Sequence, residues 1–284
     1  MVNEAFGKRF EREARVMAAL SHPNLLRLLA LEHDILQPFL VMPFIEGKSL
    51  KDALAEKQRF TAREALPILE QLCAGLAYLH SRGVVHRDIK PAKLVLSPDG
   101  HVTLLDFGLS RKGGPTDLTS PGSVLGTVTY LAPEVALGEE LTFRADLYSL
   151  GLVAYHLLTG VTPFGMQDGH ATILRHLYET PELASQKSPA VSEAVAEVLA
   201  KALAKDPLQR HASAREFFEA FSKAFEVDAT AGSSTDASTL DGRARGQQET
   251  REARGGDDTK PARAPDPDPL TQRTARERPS RPSR

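Results

Sequence analysis

A single cysteine, Cys73, rules out any disulfide within the chain. It falls inside the apolar stretch LEQLCAGLAYLH, where a thiol packs as a small hydrophobe rather than reacting. The sequence also lacks any run of about 20 apolar residues, the length an α-helix needs to cross a bilayer. Charge of neither sign dominates: 35 Lys and Arg stand against 37 Asp and Glu, a net −2. Electrostatics therefore gives no reason to expect nucleic acid or an anionic membrane as partner. The opening residues, MVNEAFGKRFERE, are charged and lack the apolar core of a secretory signal, so a cytoplasmic location is expected. There is no internal repeat.

With 41% hydrophobic and 25% charged residues, the composition is that of a soluble globular protein. A chain of 284 residues can bury a core that needs no staples. The composition changes near Val227. From there to Arg284 the chain is rich in Asp, Arg, Gly, Pro, Ser and Thr; it cannot bury enough apolar surface to offset the entropy of ordering, which predicts disorder. Upstream, Phe10, Ala14, Met17 and Leu20 recur at helical spacing, and Pro23 stops that helix by disfavouring the α region at His22. LLRLLAL and FLVMPFI read as strands around the turn-like EHDILQP. Ser49 caps a short helix, LKDALAEK. Thr61 and Glu64 form a capping box for a long helix reaching Arg82, with Ala65, Ile68, Leu72, Leu76 and Leu79 as its apolar stripe. Short strands VV, LVL and HVTLL flank the loop from His86 to Lys93, and the chain is mostly helical from Pro133 to Phe225. Residues 146–159 (DLYSLGLVAYHLLT) are apolar nearly all round, as in a helix buried at a domain centre.

Three short segments carry chemistry. In order, they are His86-Arg87-Asp88-Ile89-Lys90-Pro91-Ala92-Lys93, then Asp106-Phe107-Gly108, then Gly126-Thr127 through Tyr130-Leu131-Ala132-Pro133-Glu134. A lone Asp-Phe-Gly is ordinarily a turn, and a lone loop aspartate is more often a cap than a base. The ordered, spaced set is specific. It resembles the catalytic loop, the metal-binding loop and the activation-segment end of the protein kinase family. Asp146, Arg210, His22-Pro23-Asn24 and the hinge-like LVMPFIEGKSL agree with it, so the resemblance spans roughly residues 8–225.

The resemblance implies an α+β protein kinase-like fold. Its mostly α-helical C-lobe would occupy 46–226, behind an incomplete β N-lobe at 1–45 and ahead of a disordered C-terminal tail at 227–284. It also implies a bacterial-like Ser/Thr kinase that moves the γ-phosphate of ATP to a protein hydroxyl with Mg²⁺. In that scheme Asp88 accepts or orients the hydroxyl proton, Lys90 offsets charge on the γ-phosphate, and Asp106 holds the cation. Pro43 and Ile45 present hinge backbone to adenine, with Val95 in the same nucleotide site. Arg87 would grip an activating phosphate on Thr116, Thr119, Ser120 or Ser123, placed there by another kinase or by the chain itself. Lys90 and Thr127 point to Ser/Thr over Tyr substrates. Glu134 with Arg210, and Asp146, take structural roles, as does His86. Phe107, Met17 and Leu28 form a packed apolar column.

Two departures qualify this. If Glu13 is the helix glutamate that pairs with the ATP-gripping lysine, that lysine belongs about twenty residues earlier, where these residues offer neither it nor a Gly-rich loop. Lys8 lies on the same helix as Glu13 and cannot act from an opposing strand. The apolar face of that helix is then expected to be partly exposed. Second, Lys93 stands where the family carries asparagine. Lysine has three donors and no acceptor, so it cannot ligate the second Mg²⁺, although its charge could partly replace that ion. The expectation is an impaired Ser/Thr kinase, with a pseudokinase or docking module as the alternative. A small-molecule phosphotransferase is disfavoured by the Ala-Pro-Glu segment and Arg210.

Overall fold

A computed structural model describes residues 10–11, 14–33, 38–105, 128–165 and 169–227. The chain divides into two units, Met1–Thr235 and Asp236–Arg284, and every described residue lies in the first. The disorder expected after Val227 therefore falls outside the described residues.

Helical backbone at 10–11 and 14–18 (α1) carries the expected stripe, but the stripe is not left in water. Ala14, Met17 and Leu20 are 1%, 2% and 6% exposed and share one buried cluster with Leu25, Leu28 and Leu104. The expected partial exposure is corrected at these positions, because the helix packs towards the core beneath it. After α1 the chain docks on that core through Asn24. Its Nδ2 donates to the Val102 carbonyl at 2.9 Å and to Gln71 Oε1 at 3.0 Å. The Asn24 carbonyl accepts from Leu104 N–H, and Leu26 N–H donates to Leu104 O, both at 2.9 Å. This local pairing occupies the backbone at 24–26, so the first strand of LLRLLAL starts only at Ala30.

That strand, β1 (Ala30–His33), pairs antiparallel with β2 (Pro38–Val41), Leu31 opposite Leu40. A second sheet has the order β3-β4-β5, from β3 (Lys48–Ser49), β4 (Leu94–Leu96) and β5 (Val102–Leu104). Gly47, at φ +153°, makes the crossing from hinge to β3 possible: a Cβ there would lie 2.5 Å from the Leu96 carbonyl oxygen.

The helices follow their sequence signals. Ser49 caps α2 (Leu50–Lys57) by accepting from Asp52 N–H, and Thr61 with Glu64 closes both halves of the capping box on α3 (Ala62–Ser81). Val84-Val85 is not a strand. Val84 N–H donates back to Leu79 O at 3.0 Å, so the exit of α3 uses the group that a sheet would need. Beyond lie α4 (Pro133–Leu137), α5 (Phe143–Thr159), α6 (Gly169–Tyr178), α7 (Ala184–Lys187), α8 (Glu193–Ala202) and a helix over 214–227 (α9). Thr142 caps α5, four residues ahead of the apolar run at 146–159, and α5 is buried on nearly every side. It forms the post to which both the loop at 86–93 and α8 attach. Cys73 is 3% exposed, and burial pushes its thiol pKa up, so it stays an unreactive core group. No described helix is long and apolar enough to cross a membrane.

Candidate active site

The loop from His86 to Lys93 has little regular structure of its own, and its shape is imposed from below. Asp146, 1% exposed in the first turn of α5, accepts His86 N–H at 2.8 Å and Arg87 N–H at 2.9 Å, and its Oδ2 lies 2.8 Å from His80 Nε2. These bonds hold Arg87 at φ +71°, a left-handed conformation that costs a side-chain-bearing residue about 1–2 kcal/mol. His86 is fully buried. Its Nδ1 accepts from Asp88 N–H at 3.3 Å, so Nε2 carries the proton and donates to Leu105 O at 3.1 Å. Burial lowers the His86 pKa, which keeps the ring neutral and the tautomer fixed. The structural role expected of His86 is the geometry found.

On this frame Asp88 and Lys90 face each other, Nζ 2.9 Å from Oδ1 and 2.8 Å from Oδ2, each side chain 17% exposed. A carboxylate and an ammonium are thus presented together, sheltered yet reachable. Arg87 is exposed beside them. A 3₁₀ turn at Pro91–Lys93 leads into β4, and the Lys93 carbonyl accepts from Leu105 N–H at 2.8 Å. Leu105 therefore joins β5 to the loop from both sides, through Lys93 and through His86. Lys93 is half-buried, and its positive charge reaches His86, where it helps lower the imidazole pKa.

In the hinge, Pro43 and Ile45 are half-buried and Phe44 is 92% exposed. Neither the Pro43 carbonyl nor the Ile45 N–H is bonded to another described residue. Val95 is half-buried in β4, opposite Ser49 and Thr103.

Glu134 and Arg210 meet at the base of the domain. The guanidinium grips the carboxylate at 2.6 and 2.8 Å. Its remaining donors reach the carbonyls of Ala204 (2.9 Å), Arg144 (2.8 Å) and Lys205 (3.1 Å), so all five N–H groups are used.

Met17 and Leu28 are buried in one cluster, as expected. Their partner Phe107 lies outside the described residues, as do Glu13, Asp106, Thr116, Thr119, Ser120, Ser123 and Thr127. Sequence reasoning passed over His80: it sits 66 residues from Asp146, and only folding brings the last turn of α3 to the first turn of α5.

This arrangement of loop, buried aspartate and distant ion pair agrees with the comparisons to known proteins. The family described as "Protein kinase domain" matches residues 2–221. The chain belongs to the protein kinase family. Over 233 residues it is 42% identical to the serine/threonine-protein kinase PknJ of Mycobacterium tuberculosis, covering 80% of this chain and 39% of that protein. It is 36% identical over 225 residues to PrkC of Bacillus subtilis, covering 78% and 34%. With PknB of Mycobacterium leprae it shares 35% identity over 217 residues, covering 75% and 35%. These relatives place it among bacterial Hanks-type Ser/Thr kinases, and it spans between a third and two-fifths of their length.

Proposed function

We propose that this chain transfers the γ-phosphate of ATP to Ser or Thr of a protein, at a rate lowered by Lys93. The observation that carries this is the Asp88–Lys90 pair, sheltered to 17% exposure on a loop tied to Asp146. Phosphoryl transfer asks for positioning and charge neutralisation more than covalent chemistry. Asp88 orients the acceptor hydroxyl and takes its proton as the new P–O bond forms. Lys90 offsets negative charge on the phosphoryl oxygens. Exposed Arg87 serves regulation in this scheme, gripping a phosphate on Thr116, Thr119, Ser120 or Ser123.

The described residues fit the nucleotide in part. The Pro43 carbonyl and Ile45 N–H, unbonded among the described residues, offer an acceptor and a donor to the edge of adenine, and Val95 is assigned to the same site. When bound, Mg²⁺ neutralises the phosphate oxygens. Asp106 is the residue assigned to hold it. Lys93 fits no cation, since it has no acceptor to offer.

Lys93 also favours a second reading, a docking module without phosphoryl transfer. The melting temperature of the chain under Mg-ATP, with Asp106→Asn as control, separates the two. At 100 times its dissociation constant a ligand adds about 2.7 kcal/mol to stability. A metal-dependent rise, lost in the control and followed by phosphate transfer to Ser/Thr peptides, is expected. A cooperatively melting protein that shows no rise is the docking module. Lys93→Asn is expected to raise transfer; an unchanged rate would show that Lys93 does not lower it, and a lower rate that the Lys93 charge assists the reaction.

A further inference from the structure

We infer that the pocket beneath the catalytic loop reads acidic side chains of the protein substrate beside its accepting Ser or Thr, with Lys51 and Arg59 setting the preference. The inference rests on the kinase function proposed above. The pocket encloses about 930 Å³ between the end of α2, the catalytic loop and the end of α5, and Lys90 is among its lining residues. A peptide that presents its hydroxyl to Asp88 therefore has this pocket within its path.

The lining is electrostatically one-sided. Lys51 and Arg59 contribute cations, Lys90 is already paired with Asp88 at 2.8 Å, and no described carboxylate lines the pocket. Nearby cations outside it are neutralised: Lys48 pairs with Glu56 at 2.8 Å, and Lys57 pairs with Glu64 at 2.5 Å. Lys51, exposed on α2, has no ion-pair partner among the described residues, and Arg59 spends one donor on the Ser188 hydroxyl at 3.1 Å. His156 lines the pocket as a neutral polar group. Its Nδ1 lies 2.7 Å from the Tyr130 hydroxyl, and burial lowers its pKa, which keeps the ring uncharged.

The corner that holds Arg59 is strained. Gln58, although not glycine, sits at φ +67°, ψ −50°, and Arg59 N–H donates to Lys57 O at 2.9 Å. This closes the rarer, strained form of the three-residue γ-turn. Across the pocket Gly160 stands at φ +78°, where a Cβ would lie 2.8 Å from the Gln58 carbonyl oxygen. The two corners interlock, and any side chain at 160 would displace the turn. Backbone strain persists where the surrounding structure enforces it, and it concentrates at binding sites. Here it sets the backbone at Arg59, whose exposed guanidinium, suited to bidentate capture of a carboxylate, lines the edge of the pocket.

The test uses the full chain and two fluorescein-labelled peptides with one Ser acceptor. In one peptide the flanking residues are Glu; in the other they are Gln. Anisotropy is expected to show about tenfold tighter binding of the Glu peptide, with the difference shrinking as salt is raised. Lys51→Glu, at an exposed helical position, should reduce the preference. Adding Arg59→Gln, which keeps a donor for Ser188, should abolish it. Equal binding of the two peptides, or a preference that survives both substitutions, would overturn the inference. Phosphate transfer to both peptides without preference leaves the kinase function standing and removes this one. Charge-dependent binding without transfer does the reverse.

Discussion

Two ion pairs, one at the base of the domain and one in the catalytic loop, show how differently the same chemistry is used. Glu134–Arg210 and Asp88–Lys90 both bring carboxylate and cation within 3 Å. At the base, the side chains are 4% and 0% exposed, and every guanidinium donor has an acceptor. In the loop, both partners are 17% exposed, and lysine offers a compact charge that can turn from Asp88 to another anion. The first pair is saturated and therefore holds structure. The second is partly exposed, as the proposed phosphoryl transfer requires. Between them runs α5, with Asp146 shaping the loop at its start and the Arg144 carbonyl receiving Arg210 beside it.

The contrast breaks most visibly at Arg210. Arg210→Ala leaves the Glu134 charge buried without a partner and is expected to cost about 3–5 kcal/mol, measured as a fall in the urea midpoint. Next comes acid. Burial and the nearby Lys205 charge lower the His176 pKa to about 3 from 6.5. Between those values the unfolded chain binds a proton that the folded chain does not, so stability is lost as pH falls from 6.5 towards 3. The denaturation midpoint should fall over that window, and His176→Gln should flatten the slope. Asp146→Asn removes a charged acceptor from two backbone N–H groups and from His80; a loss of about 2 kcal/mol is expected. Released from Asp146, the loop should also lose phosphate transfer. Thr61→Ala opens the capping box of α3 for about 1 kcal/mol. Asp88→Asn lies at the other end: stability should change by under about 1 kcal/mol while transfer disappears. A thermal melt beside a peptide assay checks it, and a large loss of stability there would end the distinction between the two pairs.

Much of this was legible in the residues. Ser49, and Thr61 with Glu64, announce α2 and α3, because capping is a matter of side chains within four positions. The apolar surround of α5 announces its burial, and the ordered motifs announce the family. Local patterns failed where backbone groups were taken by distant or non-repetitive partners. Val84-Val85 has strand composition, yet its first N–H closes the exit of α3. LLRLLAL begins as a docking segment on β5 and becomes a strand only at Ala30. The face of α1, expected in part to meet water, is buried at Ala14 and Met17, since period alone cannot say what lies opposite a stripe.

The sequence by itself determined where the helices start, which helix is central, and which loop carries Asp88 and Lys90. These depend on chemistry between near neighbours and on apolar periodicity. Only the tertiary structure decided that Asp146 meets His80, His86 and Arg87, that Arg210 spends all five donors around Glu134, and that Gly160 packs against the turn at Gln58. Those contacts join residues tens of positions apart, where no spacing rule applies, and each is set by the geometry with which packed helices bring their ends together.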